Sequence, residues 1–135
     1  MESLFKEEIN LQLSKGSYLY NALAILEEKY DGICYLEINF SNEFVLTSGN
    51  DFFDCLCQLK EKHPDIILYC KGYKRNVYPS RMTRQMGKGL KAYEMTLGKQ
   101  ATREDLVGIF DFEDQDLTSS NNEQKNFYEK WLYSL

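Results

Sequence analysis

Residues 33–40 read ICYLEINF, and the alternation puts Cys34, Leu36, Ile38 and Phe40 on one side of an extended chain. That period of two is the mark of a strand with one buried face. Working outward, Ser41-Asn42-Glu43 can turn the chain into FVLT, which predicts an antiparallel hairpin. Ser48 with Asp51 three residues on resembles a capping box, and Phe52, Leu56 and Leu59 then mark a helix stopped by Pro64. The continuous apolar run DIILYC at 65–70 reads as a buried strand, so strand, helix and strand have the size of one crossover unit. VYPS at 77–80 is expected to extend or pair with that strand.

On the N-terminal side, Ser17 can cap a helix in which Leu19, Ala22, Leu23 and Leu26 recur at helical spacing, ending before Asp31-Gly32. Residues 4–13 fit two templates: Leu4, Phe5 and Ile9 suit a helix face, whereas Ile9, Leu11 and Leu13 alternate as in a strand. On the C-terminal side, Thr102 and Asp105 can cap a short turn and VGIFDF reads as a short strand. Ser120 and Glu123 open a helix with Phe127, Trp131 and Leu135 at intervals of four. The expected fold class is α/β or α+β, a single mixed domain over residues 1–135 with a sheet covered by helices.

Composition agrees with one globular domain: 135 residues, 43% hydrophobic and 27% charged, with 8 Gly and 2 Pro, exclude collagen-like and low-complexity classes. No stretch approaches the roughly 20 apolar residues of a membrane-spanning helix. The start, MESLFKEEIN, lacks a basic segment followed by an apolar run, so the expected location is cytoplasmic, with numbering of the mature chain from Met1. Cys34, Cys55, Cys57 and Cys70 lie in apolar surroundings and read as reduced, buried thiols rather than metal ligands. No metal and no cofactor is expected. His63, the only histidine, precedes Pro64 at a helix end and has no identifiable catalytic partner.

Residues 81–97 carry an amphipathic pattern. At 100° per residue Met82, Met86, Leu90, Tyr93 and Leu97 share one arc, opposite Arg81, Arg84, Lys88 and Lys91. Gly87 and Gly89 each disfavour that helix by about 1 kcal/mol, so packing compensates or the helix is bent or broken there, and Gly98 can cap its end. The charges divide along the chain. Residues 66–103 hold nine cations against Glu94 alone, +8, while the remainder has seven basic and twenty acidic residues, −13. Three readings of this division stand: opposite charges neutralise one another in the fold; the basic segment with Arg75, Tyr78, Arg81, Arg84, Lys88 and Lys91 binds nucleic acid or a small anion; or Glu104, Asp105, Asp111, Glu113, Asp114 and Asp116 bind a cationic protein. The net charge of −5 weighs against nucleic acid.

Enzyme templates return little. GKG at 87–89 lacks phosphate-loop spacing, and no GxSxG or HExxH occurs. Catalysis is not expected; a constellation around Tyr78, Arg81 and Arg84 supplies no nucleophile or base.

The stretch LYCKGYKRNVYPSRMTRQMGKGLKAYEMTLGK at 68–99, followed by LVGIFDF at 106–112, resembles the small acidic immunity proteins encoded beside contact-dependent growth inhibition and other polymorphic bacterial toxins. The resemblance covers roughly residues 33–112. It implies a cytoplasmic, non-catalytic inhibitor that binds the C-terminal domain of a cognate toxin, often a nuclease, and blocks its active site or an adjacent surface, without membrane or direct nucleic-acid binding. No functional residue carries over from it.

Overall fold

The computed structural model describes residues 3–135. The expected start of the mature chain concerns Met1, which lies outside them. The alternating stretch is strand β3 (Cys34–Phe40), and every second side chain is buried as the pattern requires. It sits inside a five-stranded antiparallel sheet of order β4-β3-β2-β1-β5, formed with β1 (Ser3–Lys15), β2 (Tyr18–Lys29), β4 (Glu43–Gly49) and β5 (Ile66–Leu68). The β3–β4 turn is Ser41-Asn42, both at positive φ (47° and 63°), the primed hairpin turn whose twist matches the strands.

The helix predicted from Ser17 is instead β2. Ala22, Ala24, Leu26 and Glu28 are buried, whereas Leu19 and Leu23, which completed the helical spacing, lie on the outer face. Pairing with β1 on one side and β3 on the other outweighs the helix propensity of Leu and Ala. Residues 4–13 are resolved as strand, with Leu11 and Leu13 buried.

Helix α1 (Phe52–Lys62) covers the inner face, placing Phe52, Phe53, Leu56 and Leu59 in the core. Asp51, not Ser48, is its cap, accepting the Asp54 N–H at 2.7 Å. The crossover unit is corrected: β4 and β5 are at opposite edges, so α1 spans the sheet rather than linking neighbours. VYPS neither extends nor pairs with β5. Strand β6 (Val77–Tyr78) belongs to a second antiparallel sheet with β7 (Lys91–Glu94) and β8 (Leu106–Gly108).

The amphipathic helix at 81–97 is broken at its glycines. Helix α2 runs Arg81–Gly87, Lys88 and Gly89 turn left-handed (φ 55° and 71°), and the chain continues as β7. Position 89 admits only glycine: besides the left-handed φ, a Cβ would lie 2.9 Å from Asp51 Cγ and 3.1 Å from the Phe53 amide nitrogen. The apolar arc therefore never forms. Met82 and Met86 are 68% and 81% exposed, whereas Leu90 packs on the core. Gly98 is in a loop rather than capping a helix.

Helix α3 (Asn121–Tyr133) starts at Ser120, whose hydroxyl accepts the Glu123 N–H at 3.2 Å. Ser120→Ala is expected to cost about 1 kcal/mol in urea unfolding, the usual loss of an N-cap. The helix docks through Trp131, and through Asn121, which donates to the Cys57 carbonyl. With antiparallel sheets throughout, the fold is α+β, a single mixed domain.

Candidate functional site

Most charges singled out in the sequence meet one another. A 3-10 turn at Lys71–Tyr73 projects Lys71 and Lys74 in the same direction, toward Glu94 at the end of β7 and Glu113 after β8. The four ion-pair distances lie between 2.8 and 2.9 Å. The second Glu113 oxygen accepts the backbone N–H groups of Asp114 (3.1 Å) and Gln115 (2.9 Å). Burial alone raises a carboxyl pKa, but here the two lysines and the backbone donors overcome it, holding Glu113 down at about 2. Burial likewise opposes the lowering of the Glu94 pKa, and hydrogen bonds from Lys71 and Lys74 prevail.

The remaining pairs knit separate segments. Arg75 meets Asp116 at 3.1 Å on the surface. Arg84 reaches the buried Asp51 at 3.0 Å with its guanidinium 5.2 Å from the Phe53 ring centre. Lys88, aimed by its left-handed backbone, meets Glu28 at 2.8 Å. Lys99 lies 3.8 Å from Asp105, which also accepts the Thr102 N–H, closing the short capped turn expected there.

Of the proposed acidic cluster, Glu113, Asp116 and Asp105 are thus engaged internally, and Asp111 accepts the Gly108 N–H at 3.0 Å. Glu104 and Asp114 are exposed and form no ion pair among the described residues. Of the proposed anion-binding set, Arg75, Arg84 and Lys88 are paired, whereas Arg81 and Lys91 are exposed without an ion pair among the described residues. Tyr78 stacks on Tyr128 at 4.7 Å and meets Phe53 edge-on at 5.7 Å. It borders a groove of about 350 Å³ shared with Tyr93 and Trp131. The helix break separates Lys91, on β7, from the α2 residues Arg81 and Arg84, so these cations do not form one helical face.

A different surface holds unspent binding chemistry. On the outer face of the large sheet, cross-strand register aligns Glu8–Ile25–Glu37–Leu46 and Asn10–Leu23–Asn39–Phe44 in two rows. Phe44 and Leu46 are 64% and 53% exposed, both on β4, an edge strand. Carboxylates alternate with apolar side chains in the first row and asparagines with apolar side chains in the second, beside an open strand. The sequence signal was FVLT, apolar on both faces of a strand ending a hairpin.

Lys60 was missed too. Its side chain is 1% exposed, donating to the Gly72 carbonyl (2.8 Å) and Gln124 Oε1 (2.6 Å), and desolvation lowers its pKa to about 8. The clue was position: Phe52, Leu56 and Lys60 fall at intervals of four on the apolar side of α1.

No family model matches the chain, and no curated protein is significantly similar to it. No helix among the described residues is long and apolar enough to cross a membrane.

Proposed function

We propose that this chain is an immunity protein that acts in the cytoplasm, binding the C-terminal domain of a cognate bacterial toxin and neutralising it by covering its active site or an adjacent surface. The observation that supports this reading is the outer face of the large sheet, where exposed Leu46 lies across from Glu37 and exposed Phe44 across from Asn39, with Glu8 three strands away in the Leu46 row. Apolar anchors supply affinity, and surrounding carboxylates steer a cationic surface such as that of a nuclease. Catalysis by the chain itself plays no part in the proposal.

The internal pairing of Lys71, Lys74, Arg75, Arg84, Lys88 and Lys99 weighs against nucleic-acid binding, because cations already held by carboxylates release few counterions from a phosphate backbone. The reading expects an effector with a toxic C-terminal domain encoded immediately upstream, and the test is co-expression with that domain. The expected result is survival of the cells and a stoichiometric complex, with no retention of RNA or DNA at physiological salt. Cells that die despite abundant folded protein, or salt-dependent binding of nucleic acid by the isolated chain, would overturn the reading.

A further inference from the structure

The large sheet leaves two stretches of strand edge open, and they are treated differently. Strand β5 pairs with β1 at Leu13, Ser14 and Lys15, and the Tyr69 N–H donates to the Gln12 carbonyl at 2.8 Å, so among the described residues the part of β1 before Gln12 is unpaired on that side. Lys6, Glu7 and Glu8 put charge along it, a common guard against added strands. Strand β4 lacks such a guard. Its seven residues, EFVLTSG, contain no proline, and their one charge, Glu43, stands at the first position and is paired with Lys15 at 3.2 Å.

The hairpin fixes which backbone groups are free. A two-residue primed turn closes with a hydrogen-bonded pair, here Phe40 and Glu43, and such pairs then alternate along an antiparallel ladder. Ile38–Val45 and Leu36–Thr47 are therefore hydrogen-bonded pairs, whereas Phe44, Leu46 and Ser48 direct both N–H and C=O away from β3. The same three residues place their side chains on the outer face, opposite Val45 and the buried Thr47. Donors, acceptors and two exposed apolar side chains thus share one edge.

We infer that β4 is a docking edge for an extended strand of a cationic partner, which adds a sixth strand to the large sheet. This deepens the immunity reading and rests on it. Charge selects the occupant. A second copy would bring another net charge of −5, whereas a basic strand meets Glu37, a carboxylate whose side-chain partner is the neutral Asn39 amide at 2.8 Å. Its backbone would lie about 10 Å from Glu37, two strand spacings away, within reach of an extended Arg meeting the glutamate side chain over Leu46. Apolar side chains at alternate positions of the same strand would cover Phe44 and Leu46.

The experiment uses the full chain with the C-terminal domain of the upstream-encoded effector as probe. Amide hydrogen exchange at Phe44, Leu46 and Ser48 is expected to slow on complex formation. Leu46→Pro removes an outward N–H together with the exposed Leu46 side chain, and is expected to weaken binding about tenfold or more beyond Leu46→Ala, which keeps the N–H, while leaving circular dichroism unchanged. Val45→Pro, which deletes a bond to β3, instead destabilises the fold. If the complex forms but those three amides exchange as before, the docking edge is wrong and the immunity reading stands, even should Leu46→Pro fail to fold. If wild type binds no effector domain, both fall. If wild type dimerises at micromolar concentration and Leu46→Pro abolishes the dimer, the occupant is a second copy and the inference is overturned.

Discussion

Glu113→Ala is expected to lower the free energy of unfolding by about 3 kcal/mol, whereas Ala at its exposed neighbour Asp114 changes it by less than about 0.5 kcal/mol. Glu113 is the shared acceptor of Lys71 and Lys74 and of two backbone N–H groups, and its side chain is only 9% exposed. Removing it leaves two lysines competing for Glu94 and two amides without their acceptor. The charges also join distant parts of the chain: the 3-10 turn after β5, the end of β7 and the segment after β8. The measurement is urea unfolding at pH 7. Equal midpoints for the two variants would mean that the network is an incidental surface feature.

Acid should reach the same network. The folded pKa of Glu113, about 2, lies below its ordinary value of 4.5, so its contribution is complete above that value and is lost as pH falls from there through about 2. Glu94 faces the same two lysines with its pKa also lowered, so it loses its contribution in the same direction. Glu113→Gln removes one of the two titrations and is expected to flatten the fall of stability between pH 5 and pH 3.

The reasons these charges cluster explain why sequence reading met a limit. Nine cations in one window look like a basic patch because several of their carboxylate partners are remote in sequence: Glu28 is on β2, Asp51 caps α1, and Glu113 and Asp116 follow β8. Cross-strand and loop pairing is invisible to a linear charge count. By contrast β3 was legible because its alternation is the direct imprint of one buried face, and α3 because Ser120 supplies a local cap. β2 misled because Ala22 and Leu26, four apart, fit a helix face and, with Ala24 between them, a strand face equally well, and only the ladders on both sides choose between them. The break at residues 87–89 was foreshadowed by two glycines, yet what bars a side chain at position 89 is Asp51 and Phe53, nearly forty residues away. The open edge of β4 could not be read, since strand order is a property of the assembled sheet.

Lys60→Met is expected to stabilise the protein by about 2 kcal/mol at pH 7, with the gain shrinking by about 2 kcal/mol by pH 9.5. Lys60 has no carboxylate partner among the described residues. It sits 4.6 Å from the Tyr73 ring centre and 5.2 Å from that of Phe53, contacts that offset only part of its desolvation. Burial lowers its folded pKa to about 8 from an ordinary 10.5, so the charged form opposes folding below 8, and that opposition fades as pH climbs from 8 toward 10.5. Methionine fills similar space without the charge. The Gly72 carbonyl still receives Gln124 Nε2 at 3.0 Å, leaving Gln124 Oε1 as the one acceptor that loses its donor. Cys57 and Cys70 are the titratable groups that act most directly on Lys60. Burial raises Cys34 to about 11 and Cys70 to about 12, and Cys55 and Cys57 are also raised, so both proteins lose stability above pH 9 as their unfolded thiols ionise. Cys34 and Cys55 cancel in the difference between variant and wild type, which reports Lys60 together with the coupling of its charge to Cys57 and Cys70. Urea unfolding of the two proteins at pH 7 and pH 9.5 measures it; a difference that stays constant would show that Lys60 does not give up its proton within that interval.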